Sequence, residues 1–251
     1  MWTLWKRRNA RRHSGDINFH NMVLQVQTLI RQLIVMWFPW MNRLPDDWPT
    51  MVQMLRRYKP KLYYQSVAWR PLEGTFIKCN TNRGCRGNPG LSTYGFCLRN
   101  SEGNLIYAQA EPIGVTTNME AEARAILEAL KVCTEKGLQN VILEKNSLCM
   151  MNFLRGLWKI PWEMADIYQA IIREQQLLNI QVTHVFKEGN YLADSLANRA
   201  YEQEGKQIYN NFQELPSICR KILNADKSQI PNIQIKTLKI RGNTGQFSRS
   251  H

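Results

Sequence analysis

The sequence contains no run of about 18 uncharged apolar residues, the length that a membrane-spanning helix requires. Its six cysteines include no Cys-x-x-Cys pair, and none of its four histidines stands at the spacing of zinc ligands. These absences argue against a disulfide-stapled secreted domain and against a zinc module, and they favour reduced thiols. We therefore expect no membrane segment and an intracellular location, in the nucleus or the cytoplasm.

Acidic residues are scarce at both ends of the chain, whose formal net charge is +13. Residues 1–71 carry 12 Lys and Arg against 3 Asp and Glu, and residues 206–251 carry 8 against 2. The middle, residues 72–205, is nearly balanced at 13 against 15. Basic arms around a neutral core attract phosphates, although solvated tails without a partner would show the same pattern. The first 20 residues also resemble a nuclear-import patch or an organelle presequence.

The spacing of apolar residues and the positions of prolines divide the chain into five segments. Apolar residues recur at helical spacing from Met22 to Trp37, and Pro39 ends the pattern. Five prolines between positions 39 and 71 favour an irregular linker with one short helix near Thr50–Tyr58. The predicted segments are a basic arm (1–20), an amphipathic helix (21–38), a linker (39–71), a folded domain (72–205) and a basic C-terminal tail (206–251).

The order of strands and helices in the domain predicts an α/β fold with a five-stranded mixed sheet flanked by helices. Thr75–Asn82 has the composition of a strand, and Asn88-Pro89-Gly90 is a turn that returns the chain antiparallel. A third strand starts at Leu105 and completes a meander. A helix, a strand over Val141–Lys145, another helix and a final strand follow. Strand–helix–strand passages require parallel crossovers, so the strand ending at Lys145 should lie beside the first.

The first helix of the domain places one carboxylate on its apolar side. Thr117 and Glu120 form a capping box at its start, and Glu120, Arg124, Glu128 and Lys131 share a solvent face. Glu122 instead lies on the stripe that faces the sheet. An unpaired carboxylate there is costly, so Glu122 requires a cation or a hydrogen-bond donor. A glutamate reaching solvent at the helix end is the plainer alternative.

Two asparagines stand where the parallel strands end, and an aspartate opens the last helix of the domain. Asn82 and Asn146 follow neighbouring strands, so they should meet at the sheet edge where α/β sites form. Asp194 lies in the first turn of a helix that Asn190 can cap, where the helix dipole favours a carboxylate. Arg83 and Lys145 adjoin the two asparagines, although strand alternation could point them away from the site.

Four motifs resemble the ribonuclease H domains of plant non-LTR retrotransposons, the reverse transcriptase-like type. They are Lys78-Cys-Asn-Thr-Asn82, Gly87-Asn-Pro-Gly90, Glu144-Lys-Asn-Ser147 and Lys187-Glu-Gly-Asn-Tyr-Leu-Ala-Asp194-Ser-Leu-Ala197. The resemblance implies a ribonuclease H-like fold and two-metal hydrolysis of the RNA strand of an RNA–DNA hybrid, with Mg²⁺ as cofactor. The family holds its metals with four carboxylates.

This chain departs from the family at two of those four positions. They correspond to Asn82, Glu122, Asn146 and Asp194, so only Glu122 and Asp194 remain as charged metal ligands. Asp-to-Asn changes are common laboratory substitutions, but Arg83, Cys85 and Lys145 also depart from the family, which fits sequence drift better. An amide neither neutralises Mg²⁺ nor accepts a proton near neutral pH.

Three functions follow as expectations. The first is a retroelement-derived module that binds RNA–DNA hybrid or double-stranded RNA, with hydrolysis lost or very weak. The second is a working RNA–DNA hybrid endoribonuclease, and the third is a protein-interaction scaffold that uses the N-terminal helix. For the first two, the predicted nucleic-acid contacts are Arg83, Arg86, Asn118, Ser147, Lys187 and Asn190.

Overall fold

The computed structural model describes residues 19–38, 41, 43–59, 62–72 and 74–237. The chain forms two compact units, which we describe one at a time. The smaller includes the described residues up to Tyr64, and the larger comprises Gln65–Gln234. The predicted domain, 72–205, lies inside the larger unit, which extends beyond it at both ends. Most of the predicted basic arm lies outside the described residues.

The smaller unit is built from two helices, α1 (Phe19–Trp37) and α2 (Trp48–Arg57). Asp47 caps α2 by accepting a 2.9 Å hydrogen bond from the Thr50 backbone N–H. Ile34 and Met51 are buried together in a small apolar cluster. The chain from Phe19 to Trp37 is helical, and Leu29, Leu33 and Trp37 of its predicted apolar stripe are exposed. None of the helices in the described part of the chain has the length and apolar character of a bilayer span.

The remaining elements follow in chain order. The strands are β1 (Leu62–Val67), β2 (Ile77–Gly87), β3 (Gly90–Arg99), β4 (Leu105–Thr116), β5 (Asn140–Lys145), β6 (Asn179–His184), β7 (Gln207–Tyr209) and β8 (Asn232–Thr237). The helices are α3 (Asn118–Glu135), α4 (Leu148–Leu154), α5 (Ala165–Leu177), α6 (Tyr191–Arg199) and α7 (Ser217–Lys227). Short 3₁₀ turns lie at Trp162–Met164, Lys187–Gly189 and Ala200–Glu202.

Among the described residues, six strands form one mixed sheet in the order β6-β5-β2-β3-β4-β7. The meander β2-β3-β4 is antiparallel, and β5 and β6 run parallel to β2, as predicted. The predicted count of five strands is wrong by one, because β7 pairs with β4 at the sheet edge. This strand is only three residues long, too short to show an alternation of apolar and polar residues. Strands β1 and β8 pair with each other in a separate two-stranded sheet.

Helices cover both faces of the sheet. On one face, α3 and α5 pack over β2, β3 and β5 and bury Ile126, Leu130 and Ile171. On the other, α6 and α7 bury Leu192, Leu196 and Leu223 against β3 and β4. Each fully buried Leu or Ile stabilises the fold by roughly 1.5–3 kcal/mol relative to an exposed one. The part of the predicted tail that holds β7 and α7 therefore belongs to the folded unit.

Half of the capping box predicted for α3 is present, since the Glu120 carboxylate accepts from Thr116 and Arg124 and not from the Thr117 backbone N–H. Thr117 accepts a hydrogen bond from the Glu120 backbone N–H at 3.2 Å, as a capping residue does. Glu120 lies 3.0 Å from Arg124 on the solvent face, and Glu128 lies 2.8 Å from Lys131. Glu122, in contrast, is buried on the side of the helix that faces the sheet.

Candidate functional site

The site lies where the parallel strands β2 and β5 part. Their last registered pair is Asn80 with Glu144, whose side chains join through a 2.8 Å hydrogen bond from Asn80 Nδ2 to Glu144 Oε2. Asn82 and Asn146 each lie two residues further along. Both residues therefore lie just beyond the point where the parallel pairing ends, with Asn82 buried and Asn146 half-buried. The prediction that the first strand ends at Asn82 is wrong, because β2 continues to Gly87 in pairing with β3.

Asp194 reaches Asn82 because α6 packs very closely on β3. Gly95 is the β3 partner of Asn82, and a side chain at Gly95 would lie 2.5 Å from the backbone nitrogen of Ala197 in α6. With glycine there, Asn82 Nδ2 donates a 2.7 Å hydrogen bond to Asp194 Oδ1. Asn198 Nδ2, one helical turn beyond Asp194, donates to Oδ2 at 3.1 Å. Both oxygens of this carboxylate thus accept an amide of the same chain.

Glu122 is engaged by two cationic side chains. Arg83 Nε lies 3.4 Å from Glu122 Oε1, and Lys145 Nζ lies 3.6 Å from Glu122 Oε2. Among the described residues, neither Arg83 Nε nor Glu122 Oε2 has a partner with hydrogen-bond geometry. The contacts are therefore mainly electrostatic. The predicted requirement of Glu122 for a cation is met, and the alternative of a glutamate reaching solvent is wrong because the residue is buried.

Lys145 is the most enclosed charged group of the site. Its side chain has no solvent exposure and lies on the same face of β5 as Val141 and Leu143, which face α3. Burial lowers the pKa of the Lys145 ammonium, and the Glu122 carboxylate offsets part of that effect. The Thr81 carbonyl accepts from Nζ at 3.4 Å. The Glu122 carboxylate favours the charged form of the lysine, whereas the nearby Arg83 guanidinium lowers the pKa of Lys145 further.

Strand alternation explains why the Asp194 and Glu122 carboxylates are contacted by β2 residues on opposite faces of the sheet. Asn82 and Arg83 are consecutive in β2, so their side chains project to opposite faces of the sheet. Asn82 contacts Asp194 on the α6 face, and Arg83 contacts Glu122 on the α3 face. The chain's own amides and cations therefore hold the two remaining family carboxylates.

This donor set does not fit the Mg²⁺ pair that the family resemblance implies. Mg²⁺ requires anionic oxygens at about 2.0–2.1 Å in octahedral geometry. Here two of the four ligand positions hold amides, and an ammonium lies 3.6 Å from one oxygen of Glu122. Within the described ranges, no group of three or more His, Cys, Asp and Glu side chains is placed to hold a metal ion. We therefore derive no metal-dependent step from these residues.

The predicted nucleic-acid contacts fall into an accessible set and one enclosed residue. Arg86 is exposed and lies 4.1 Å above the Tyr201 ring, which fixes its guanidinium by a cation–π contact. Asn118, Ser147 and Lys187 are half-buried or exposed. Asn190, however, is 1% exposed. It does not cap α6 through its side chain but donates from Nδ2 to the Thr81 carbonyl at 3.0 Å, so we leave it out of the contact set.

Sequence reasoning missed one member of the site and left the direction of two others open. Asn198 lies four residues after Asp194 in α6, a spacing at which polar side chains on a helix meet. That spacing could have identified it as a partner of the carboxylate. The directions of Arg83 and Lys145 needed the strand register, because alternation alone does not say which face the helix α3 covers.

A second buried polar group lies near the site on the α7 side of β2; we call it the Arg99 network. Arg99 donates from Nη1 to Asp226 Oδ2 and from Nη2 to Asn80 Oδ1, both at 2.7 Å. Glu144 accepts from Asn80 and contacts Lys78 Nζ at 2.7 Å. The network joins α7 to three strands of the sheet.

Comparison with known proteins places this architecture. Residues 80–200 match the protein family described as reverse transcriptase-like. Ribonuclease HI of Halobacterium salinarum is 28% identical over 137 residues, which cover 53% of this chain and 68% of that protein. Ribonuclease H of Dichelobacter nodosus is 30% identical over 132 residues, covering 47% of this chain and 87% of that protein. The solved structure of LC11-RNase H1 in complex with RNA/DNA hybrid is similar at 27% identity and a TM-score of 0.48, over 50% of this chain and 96% of that one.

The likeness to the Dichelobacter nodosus protein defines the class of protein. The chain belongs to the ribonuclease H family. The resemblance of its four motifs, its α/β architecture and its mixed sheet agree with a ribonuclease H-like fold.

Proposed function

We propose that this chain is a retroelement-derived ribonuclease H-like module that binds RNA–DNA hybrid or double-stranded RNA and has lost two-metal hydrolysis. The observation that carries the proposal is the state of the two remaining carboxylates. Asp194 accepts hydrogen bonds from Asn82 and Asn198, and Glu122 is paired with Arg83 and Lys145. Neither is left to bind and neutralise a catalytic metal.

The binding half of the proposal is supported by accessible basic and polar groups near the same strand ends. Arg86 is held over Tyr201, Lys187 is exposed, and 32% of the Arg83 side chain is exposed. Asn88 Oδ1 accepts from the Asn118 backbone N–H at 3.0 Å, which fixes the β2–β3 turn beside the start of α3. Groups of this kind recognise a duplex through its phosphates and shape instead of its base sequence.

A working RNA–DNA hybrid endoribonuclease is the second candidate, and family membership favours it. In that case Glu122 and Asp194 would hold the metal with help from substrate oxygens. Both carboxylates would first have to exchange their present partners for the ion. That exchange would leave the Lys145 ammonium buried without a counter-charge, which is costly.

A protein-interaction scaffold is the third candidate, favoured by the surface of α1. Leu29, Leu33, Met36 and Trp37 lie at helical spacing in the smaller unit and are each about half or more exposed. An apolar stripe of this kind is typical of helices that dock into a partner. The net charge of +13 favours nucleic acid over this reading.

Hydrolysis is tested with a labelled RNA–DNA hybrid, incubated with the unmodified chain in Mg²⁺ and then in Mn²⁺. We expect cleavage at the level of buffer alone, since loss of the metal clamp removes stabilisation of the developing charge in the transition state. A ribonuclease H with all four carboxylates serves as the positive control. Metal-dependent turnover by the unmodified chain would contradict the proposal and establish the endoribonuclease.

Binding is tested on the same hybrid, on double-stranded RNA and on double-stranded DNA by fluorescence anisotropy at several salt concentrations. We expect affinity for the first two that falls as salt rises, because counterions are released from the phosphates. Replacing Arg7, Arg8, Arg11 and Arg12 by Gln should make the salt dependence less steep if the basic arm contributes. Absence of binding to any duplex would leave the scaffold as the remaining candidate.

A further inference from the structure

We infer that Arg83 and Lys145 take the place of the metal charge in this site, so that the folded chain needs no divalent cation there. The inference deepens the proposed function and rests on it for the nucleic acid, but its metal part concerns the free protein alone. It begins from a difference in charge between this chain and the arrangement that the family resemblance implies.

The formal charges of the site balance without an ion. Four carboxylates facing two Mg²⁺ ions would balance in the family arrangement. In this chain the site contains two carboxylates, Glu122 and Asp194, and two cations, Arg83 and Lys145, both of which contact Glu122. The loss of two carboxylates and the gain of two cations thus bring the formal side-chain charge of the site to zero without an ion. Buried charges are tolerated when they are paired, as Glu122 is with Arg83 and Lys145, while Asp194 accepts hydrogen bonds from amides.

The positions of Arg83 and Lys145, and not only their number, support the inference that they replace the charge of the metal ions. Each contacts a different oxygen of Glu122, Arg83 at Oε1 and Lys145 at Oε2. A metal bound to either oxygen would therefore lie close to a like charge. Because Lys145 is fully enclosed, it cannot swing into solvent to make room. Repulsion between unit charges at such separations is substantial even in a partly polar interior.

Arg83 is partly exposed and can contact a ligand, whereas Lys145 is fully buried. Its Nε is turned towards Glu122, while 32% of its side chain remains exposed. The outer N–H groups of a guanidinium can bind phosphate oxygens in a two-pronged manner. Arg83 would thus hold a backbone phosphate of the duplex without a bridging metal, with Lys145 beneath it balancing Glu122.

The experiment measures Mg²⁺ binding to the free protein by isothermal calorimetry and by the change in Tm. Three proteins are compared: the unmodified chain, Asn82→Asp with Asn146→Asp, and those two changes combined with Arg83→Gly and Lys145→Met. We expect no Mg²⁺ binding by the unmodified chain. The fourfold variant should bind Mg²⁺ at least about tenfold more tightly than the double variant, because both like charges are gone. Its Tm should rise with Mg²⁺ by mass action.

A matched control replaces an exposed lysine in place of the buried one. Lys131→Met, combined with the two Asp changes and Arg83→Gly, removes the same charge from the total but not from the site. It should bind Mg²⁺ more weakly than the variant with Lys145→Met. Equal Mg²⁺ affinity of the double and fourfold variants, or binding by the unmodified chain as tight as by the fourfold one, would overturn the inference.

A second measurement keeps the test valid if the fourfold variant does not fold. The affinity of the unmodified chain for RNA–DNA hybrid should be the same in EDTA as in Mg²⁺, and Arg83→Gln should weaken it in both. Loss of binding in EDTA would overturn the inference. If no duplex binds at all, the proposed function fails, while the Mg²⁺ titration of the free protein still decides the metal part.

Discussion

The molecule contains two buried groups of charges a few residues apart in β2, and they are built differently. In the Arg99 network, Arg99–Asp226 and Lys78–Glu144 contacts are 2.7 Å long, and Asn80 links the two pairs. In the cluster of Glu122, Arg83 and Lys145, which we call the Glu122 cluster, the contacts are 3.4 and 3.6 Å. The first group is hydrogen-bonded throughout these pairs, and the second is held mainly by charge.

The difference shows what each group does for the fold. Charge-assisted hydrogen bonds of the Arg99 kind are the strong ones, and two cations of the network also lie over the Trp69 ring, Arg99 at 4.3 Å and Lys78 at 4.6 Å. The network therefore fixes α7 and the segment at Trp69 to the sheet. The looser Glu122 cluster neutralises a carboxylate but adds little geometric specificity, as expected of cations that replaced something else.

The largest expected effect is on the Arg99 network. Asp226→Ala should lower the free energy of unfolding by about 3–5 kcal/mol, because it leaves Arg99 buried without its carboxylate. Burial raises the pKa of Asp226 and the Arg99 guanidinium offsets part of that effect, so the carboxylate depends on its partner as well. Urea denaturation followed by circular dichroism gives the measurement. A change below about 1 kcal/mol would show that the network does not hold α7.

A smaller effect is expected in the Glu122 cluster, from a double-mutant cycle. Lys145→Met and Glu122→Gln, made singly and together, should give a favourable coupling energy, because either change alone leaves a buried charge without its partner, although the contact is 3.6 Å and lacks hydrogen-bond geometry. The matching cycle with Arg99→Met and Asp226→Asn should give a larger coupling. Equal coupling energies in the two cycles would remove the distinction between the groups.

The smallest effect belongs to an exposed pair that serves as the reference for both groups. Arg124→Gln breaks the contact of 3.0 Å with Glu120 on the solvent face of α3. The free energy of unfolding should fall by less than about 0.5 kcal/mol, because water screens both partners. The same urea titration, repeated in high salt, provides the check. A loss as large as that of Asp226→Ala would mean that α3 is only marginally stable. The measurements on the Arg99 network and on the Glu122 cluster would then report helix stability and not the charge contacts.

Much of the fold could be predicted because its signals are local. The period of apolar residues marked α1, the Thr117 cap marked the start of α3, and Asn88-Pro89 marked the turn between β2 and β3. Each of these depends on residues within a few positions of one another. Strand β7 escaped prediction because a three-residue edge strand is defined by its partner β4 and not by its own pattern.

The sequence named the residues of the candidate site, but it did not predict which of them contact each other. The family resemblance named Asn82, Glu122, Asn146 and Asp194, and the two asparagines predict a loss of metal ligands, which stays a prediction. The sequence did not reveal that Asp194 accepts from Asn82, 112 positions away, or that Lys145 turns towards Glu122. Such contacts depend on which strand lies beside which and on how closely a helix can approach, as α6 does at Gly95.

The sequence by itself determined the order of the elements from Ile77 to Arg199, the family resemblance and the asparagines at positions 82 and 146, since these are properties of residue types at fixed spacings. Only the tertiary structure decided how the remaining charges are balanced. Burial makes an uncompensated charge costly, so each carboxylate must find a partner among whatever groups the packing brings within reach. Here the packing brings Arg83 and Lys145 to Glu122, and Asn82 and Asn198 to Asp194.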